Sequence, residues 1–182
     1  MTTPLTSRNL EIVRTFVPGA IGRIVEMHAR YYARNWDMGL AFEIKVALGL
    51  SDFAQRFRPP EDMLLLGLLQ GRIVASLILD LNGAAGPASF GGESNAHLRY
   101  FILGDEARGT GFGSALLDEA MVHADIHCGG RCWLTTFAGL DAARHLYESR
   151  GFTLVDENEG TSWGSPLSEQ TFVRPGNAKA RT

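Results

Sequence analysis

His97 to Ala124 reads HLRYFILGDEARGTGFGSALLDEAMVHA, and this stretch decides the fold. Leu98, Tyr100, Phe101, Ile102 and Leu103 form an apolar run of strand length, bounded by Gly104 and Asp105. Arg108-Gly109-Thr110-Gly111-Phe112-Gly113-Ser114 follows, with glycines at alternate positions. Glycine leaves the backbone amides uncovered and lets φ turn positive where a tight turn needs it. Leu116, Leu117, Ala120, Met121 and Ala124 then recur at helical spacing. The reading is a buried strand, a sharp turn and an amphipathic helix. Bare N–H groups at the start of a helix make an anion site, because they are unpaired and the helix dipole is positive there.

The kind of anion is narrowed by what the loop lacks. A Walker phosphate loop ends in Gly-Lys-Ser/Thr, and this loop has no lysine. A dinucleotide fingerprint needs a third glycine three positions after the second, and Leu116 stands there. A second stretch lies further on, Leu140-Asp141-Ala142-Ala143-Arg144-His145-Leu146-Tyr147-Glu148-Ser149-Arg150-Gly151-Phe152. Asp141 is placed to cap a helix, Gly151 to end one, and Ala142, Ala143, Leu146 and Tyr147 form its inner face. Arg131 to Thr136 reads as a strand between the two motifs.

These motifs, in this order and at this separation, resemble those of the GNAT superfamily of acyl-CoA N-acyltransferases. Arg108 to Gly113 is similar to the family's pyrophosphate loop, Gln/Arg-x-x-Gly-x-Gly/Ala, and Leu146 to Phe152 to its Leu-Tyr-Glu-x-x-Gly-Phe helix end. The resemblance spans residues 10–174 as one domain, with residues 1–9 and 175–182 read as disordered ends. The ending, from Trp163 to Val173, resembles that of the acetyltransferase domain fused behind winged-helix regulators in some bacterial proteins. The family resemblance implies an α/β fold: a twisted, mixed, mostly antiparallel sheet of about seven strands, splayed between the fourth and fifth and flanked by helices.

Composition bounds the alternatives. The chain has 182 residues, 45% of them hydrophobic, enough for one sizeable core. A net charge of −3 gives no basic face for nucleic acid. No apolar run reaches the ~18 residues of a membrane helix, and no signal peptide is recognised. Cys128 and Cys132 have no Cys/His pair to complete a zinc site, so no metal is expected. They read as reduced thiols of a cytoplasmic protein.

The rest of the chain divides readily. Leu10 to Phe16 is a strand candidate. Ala20 to Arg34 places Ile21, Ile24, Val25, His28 and Tyr32 on one stripe, so His28 reads as a core or boundary histidine. Leu40 to Phe57 is a second helix. Met63 to Leu69 and Arg72 to Leu79 are strands joined at Gln70-Gly71. Leu81 to Ala96 is a long Gly/Ala/Ser-rich connection, either a lid or a slack loop. Thr153 to Val155 is a strand, Asp156 to Gly160 a charged turn, and Glu169 to Val173 a last strand. Gln170 to Val173 is expected as an edge that could pair in a homodimer.

The resemblance also implies chemistry. Acetyl-CoA is the expected co-substrate and a small-molecule amine, an amino acid derivative or a protein amino group the acceptor. Phe101, Ile102 and Leu103 would pair with the pantetheine arm, and Arg108, Gly109, Thr110, Gly111, Phe112, Gly113 and Ser114 would cradle the pyrophosphate. Tyr147 matches the family's general acid. Leu140 stands where many members carry an asparagine that contacts the cofactor. The base is left open: Glu43 and His97 are the expected catalytic candidates, with Glu93 behind them. Strand alternation puts His97 and Arg99 on one face, where Arg99 either binds a substrate carboxylate or pairs with a nearby acid. Tyr31, Tyr32, Trp36 and Phe42 are candidates for the substrate pocket, or ordinary core aromatics. The rival to an N-acetyltransferase is a GNAT-like module that senses acyl-CoA without turnover.

Overall fold

The computed structural model describes residues 10–83, 86–90 and 94–176. The expected frayed ends at 1–9 and 177–182, and Glu93, lie outside these residues. The elements in chain order are β1 (Leu10–Val13), α1 (Ala20–Trp36), α2 (Leu40–Arg56), β2 (Met63–Leu69), β3 (Arg72–Asp80), β4 (Ala96–Leu103), α3 (Phe112–Cys128), β5 (Arg131–Phe137), α4 (Asp141–Glu148), β6 (Thr153–Gly160) and β7 (Leu167–Pro175). The strands form one seven-stranded sheet in the order β1-β2-β3-β4-β5-β7-β6. β4 and β5 run parallel and all other neighbours antiparallel.

The sheet centre follows from sequence. β2 and β3 are apolar on both faces and meet at Gln70-Gly71, where both φ angles are positive (52° and 76°). That is the backbone of a two-residue hairpin whose twist matches its strands. Leu65, Leu77 and Leu79 face α3 in one core, while Leu64, Leu66 and Ile78 face α1 and α2 in another. Each such side chain is buried and contributes ~1.5–3 kcal/mol.

Gly67 shows how closely the layers approach. A Cβ there would strike the ring of Phe112 at the start of α3 and lie 2.9 Å from the Ala75 Cβ. Gly67→Ala should destabilise the protein by ~1–3 kcal/mol through overpacking, read as a lower urea midpoint at unchanged slope.

Four expectations are corrected. Asp156 to Gly160 is not a turn but the outer half of β6, paired with β7 from Asp156↔Thr171 to Gly160↔Leu167. An edge strand with exposed sides tolerates this run of charge, which hides it from an apolar pattern. Because β6 takes the edge, β7 lies between β5 and β6, and Gln170 to Val173 has no free edge for a dimer. Asp141 makes no cap: it is the first residue of α4, with Leu140 at the cap position. β1 ends at Val13 rather than Phe16.

Candidate active site

The site is built on a break in the sheet. β4 and β5 pair at Ala96↔Cys132 and His97↔Trp133 and then diverge. The β3–β4 register also shifts between Ser76 and Ile78, and Tyr100 sits at φ +50°. This bulge turns two consecutive side chains to one side of β4. Tyr100 packs on the α1/α2 side, while Phe101 returns to the α3 core. Bulges of this kind re-aim side chains beside functional sites.

Two cavities open at the splay. One, of about 540 Å³, is lined by Phe101, Ile102 and Leu103 of β4, the Arg108–Ser114 loop and the start of α4. The other, of about 460 Å³, lies under α1 and α2 and among β4, β5, β6 and β7. Tyr32, Phe101, Thr136 and Tyr147 line both.

The first cavity has the shape of an anion cradle. Gly109 and Gly111 have φ of +71° and +82°, and a Cβ on either would meet nothing within 4 Å. Gly111 caps α3, so the first-turn amides of a 17-residue helix end here. Of the loop residues expected to hold pyrophosphate, Arg108, Gly109, Gly111, Gly113 and Ser114 line the cavity and Thr110 and Phe112 do not. Thr110 folds the loop: its hydroxyl donates to the Ala107 carbonyl (2.7 Å) and accepts from the Phe112 N–H (3.3 Å). Arg108 lies 4.2 Å over the Tyr31 ring and donates from Nε to the Leu103 carbonyl (3.1 Å). Arg150, which sequence reasoning passed over, donates to Ser114 Oγ and to Asp118 (3.0 Å), adding positive charge beside the same helix turn. Leu140 and Asp141 line this cavity as well.

Tyr147 stands where the cavities join. Its ring is 6% exposed and packs against Phe101, Phe152 and Phe172, with centroids 6.2, 5.9 and 6.3 Å away. Its hydroxyl has no hydrogen-bond partner among the described residues. Burial pushes the phenol well above its ordinary range, so it holds its proton.

The second cavity mixes aromatic walls with charge. Tyr32, Phe42, Phe137 and Trp163 line it, with Lys45, His28, His97, Arg99, Asp156 and Glu169. Lys45 donates to the Ser162 carbonyl and lies 4.7 Å over the Trp163 ring. These partners are 117 residues apart in sequence, so no local pattern announces them. Burial lowers the Lys45 pKa, with Glu169 opposing the shift.

The expected substrate and base residues separate. Tyr32 and Phe42 are brought to the second cavity and Tyr31 to the first. Trp36 lines neither; it backs the wall, 5.3 Å from Phe137. Glu43 is exposed on α2 and lines neither, because the inward face of that turn belongs to Phe42 and Val46. His97 does line the second cavity, stacked 3.7 Å on Trp133, and burial with the Arg99 charge pushes its pKa down to about 3. His28, read as a core histidine, is buried and also lines the cavity. Its Nδ1 is 2.8 Å from the Ile24 carbonyl, which accepts only, so Nδ1 carries the hydrogen and Nε2 keeps a lone pair.

The family model for the acetyltransferase (GNAT) family matches residues 22–152, a span that contains both the glycine loop and Tyr147. The chain belongs to this family. Solved structures share the fold of this GNAT chain. A ribosomal-protein-alanine N-acetyltransferase from Brucella melitensis is 18% identical with a TM-score of 0.65, covering 90% of this chain and 98% of its own. A GNAT-family acetyltransferase from Staphylococcus aureus Mu50 is 14% identical with a TM-score of 0.66, covering 91% and 98%. One from Streptococcus pneumoniae is 20% identical with a TM-score of 0.61, covering 90% and 98%. No curated protein sequence matches the chain. Among the described residues no helix is long and apolar enough to cross a membrane, and no group of three metal-ligating side chains occurs.

Proposed function

We propose that the protein transfers an acetyl group from acetyl-CoA directly to a primary amine of a small molecule or amino acid derivative. The observation that carries this reading is the meeting of the two cavities at Tyr147. One cavity suits an extended, anionic thioester and the other an amine. The gap between β4 and β5 holds the two in line, which replaces a bimolecular encounter with an oriented one.

The residues present fit acetyl-CoA. The unpaired edge of β4 beyond His97 offers backbone groups to the pantetheine arm, and Gly109, Gly111, Gly113 and Ser114 line the place a pyrophosphate would take. A backbone N–H of β4 near Leu103 would meet the oxyanion. Tyr147 donates its proton to the departing sulfur. The amine loses its proton to an uncharged imidazole in the acceptor cavity. His28 serves better than His97, because its lone pair at Nε2 is fixed by the bond at Nδ1.

Calorimetric titration with acetyl-CoA, followed by thiol release over an amine panel, tests the reading. Saturable binding with release for one amine class is the expected result. Binding without release for any amine would instead favour a sensor. Gly111→Val supplies the control. A β-branched residue resists φ of +82°, and its side chain would enter the open cradle. Acetyl-CoA binding should weaken by ~10-fold or more, the worth of one hydrogen bond to a charged group.

A further inference from the structure

The acceptor cavity carries a charge pattern that the transfer reaction itself does not require. Asp80 ends β3 opposite His97, and its side chain is fully buried. It accepts two hydrogen bonds from Arg56, at 2.7 and 2.5 Å, a paired guanidinium–carboxylate contact. The same carboxylate takes a third bond, from Arg99 Nη1 at 3.1 Å. Arg56 also pairs with Asp52 (2.9 Å), so it has a second counter-ion, whereas Asp80 is the one acid that Arg99 meets among the described residues. Arg56 lies away from the cavity lining and Arg99 lies in it.

Arg99 is held ready rather than consumed. Nη2 donates to the Tyr100 hydroxyl at 2.9 Å, and the guanidinium lies 4.9 Å from the Tyr100 ring centroid. The bulge puts both side chains on one side of β4. They seat on Gly49 of α2, where a Cβ would come within 2.5 Å of the Tyr100 oxygen and 3.1 Å of Arg99 Nη2. A guanidinium has five N–H donors, and two are used among the described residues. The other cation of the cavity is already answered. Lys45 is tied to Ser162 and Trp163 beside Glu169, so that pair is close to neutral. Glu169 in turn accepts the Ser162 N–H at 2.5 Å, and Asp156 accepts from Asn158 at 2.8 Å. Arg99 is the cation of the lining whose one acid partner among the described residues is shared with a second arginine.

We propose that the acceptor is an aminocarboxylate, an amino acid or close relative, whose carboxylate is received by Arg99 while its amine faces Tyr147. This rests on the acetyltransferase reading above and narrows its substrate. The carboxylate brings a fixed negative charge to a guanidinium whose one acid partner among the described residues is shared, and the Tyr100 and Asp80 contacts keep the fork oriented without reorganisation.

The test compares acceptors in pairs. The common α-amino acids and ω-aminocarboxylates are each assayed beside their carboxamides, by thiol release at fixed acetyl-CoA. At least one acid should exceed its amide by ~10–100-fold in kcat/KM, the range for a hydrogen bond to a charged group. Arg99→Gln should collapse that ratio toward one, chiefly through KM, and Arg99→Lys should restore part of it. A purely structural Arg99 would lower acid and amide together and leave the ratio intact, overturning the proposal. Amides that match their acids would overturn it too, with the parent reading untouched, whereas a panel in which nothing turns over while acetyl-CoA still binds would overturn it and move weight to the sensor. Failure to bind acetyl-CoA would sink both.

Discussion

Tyr147→Phe should lower turnover by ~10²–10⁴-fold, the usual worth of a positioned proton donor, and leave acetyl-CoA affinity nearly unchanged. The substitution removes one oxygen. The ring keeps its contacts with Phe101, Phe152 and Phe172, so the wall between the two cavities stays packed. Because the hydroxyl makes no hydrogen bond among the described residues, its loss orphans no buried partner. The stability cost is therefore small and the kinetic loss reports the proton. Burial holds the phenol protonated across the working range. A thiolate formed in the same dry junction is raised as well, above its solution value near ~8.5, and this supplies the drive for transfer. The check is kcat beside a calorimetric Kd for acetyl-CoA. A second reading uses an acetyl thioester of an acidic aryl thiol, which leaves without help: Tyr147→Phe should lose far less on it. A variant that turns over acetyl-CoA at the wild-type rate would remove Tyr147 from the chemistry.

The parts of this fold that were legible are those whose physics is local. The β2–β3 hairpin is written in two apolar runs and a Gln-Gly turn. The loop before α3 is written in glycines that must sit at positive φ. Elements that failed to show themselves depend on distant neighbours. β6 is an edge strand, so solvent on its open side erases the apolar alternation and leaves Asp-Glu-Asn-Glu to look like a turn. The bulge at Tyr100 has no signature, since tyrosine is an ordinary strand residue and its φ of +50° goes with a register shift against a distant strand. Strict alternation would set Tyr100 opposite Arg99, and the structure seats them together. The second cavity was half legible. Its aromatics follow the helical stripe of α1, but Trp163 and Lys45 meet across most of the chain. The direction of the candidate bases was legible in part: the apolar stripe of α1 already turned His28 inward, whereas Glu43 stands one step from the buried Phe42 of α2 and faces out.

Asp80→Asn should be the most damaging conservative change in the protein, costing ~3–5 kcal/mol, or a fall in Tm of roughly 6–20 °C. The side chain stays the same size. What changes is that Arg56 and Arg99 then face each other across a neutral amide, with only the exposed Asp52, paired to Arg56, left to balance two part-buried cations. Burial alone would raise the Asp80 carboxyl pKa, but the hydrogen bonds and charge of Arg56, then Arg99, outweigh it and hold it below its ordinary value. A carboxylate depressed on folding stabilises the folded state above its unfolded pKa of ~3.9 and loses that contribution as pH falls through the folded value. The gap in stability between wild type and Asp80→Asn should therefore be full at pH 7 and shrink toward pH 3. Adding Arg56→Met to Asp80→Asn should recover much of the loss, since it removes one of the two stranded charges and keeps an apolar stem. Recovery in the double variant, with Arg99 freed from its shared counter-ion, would show that the cost lay in unbalanced charge rather than lost shape. Urea unfolding of the four members of the cycle measures it, and a cycle that is additive would mean that Arg56 and Asp80 do not hold each other in place.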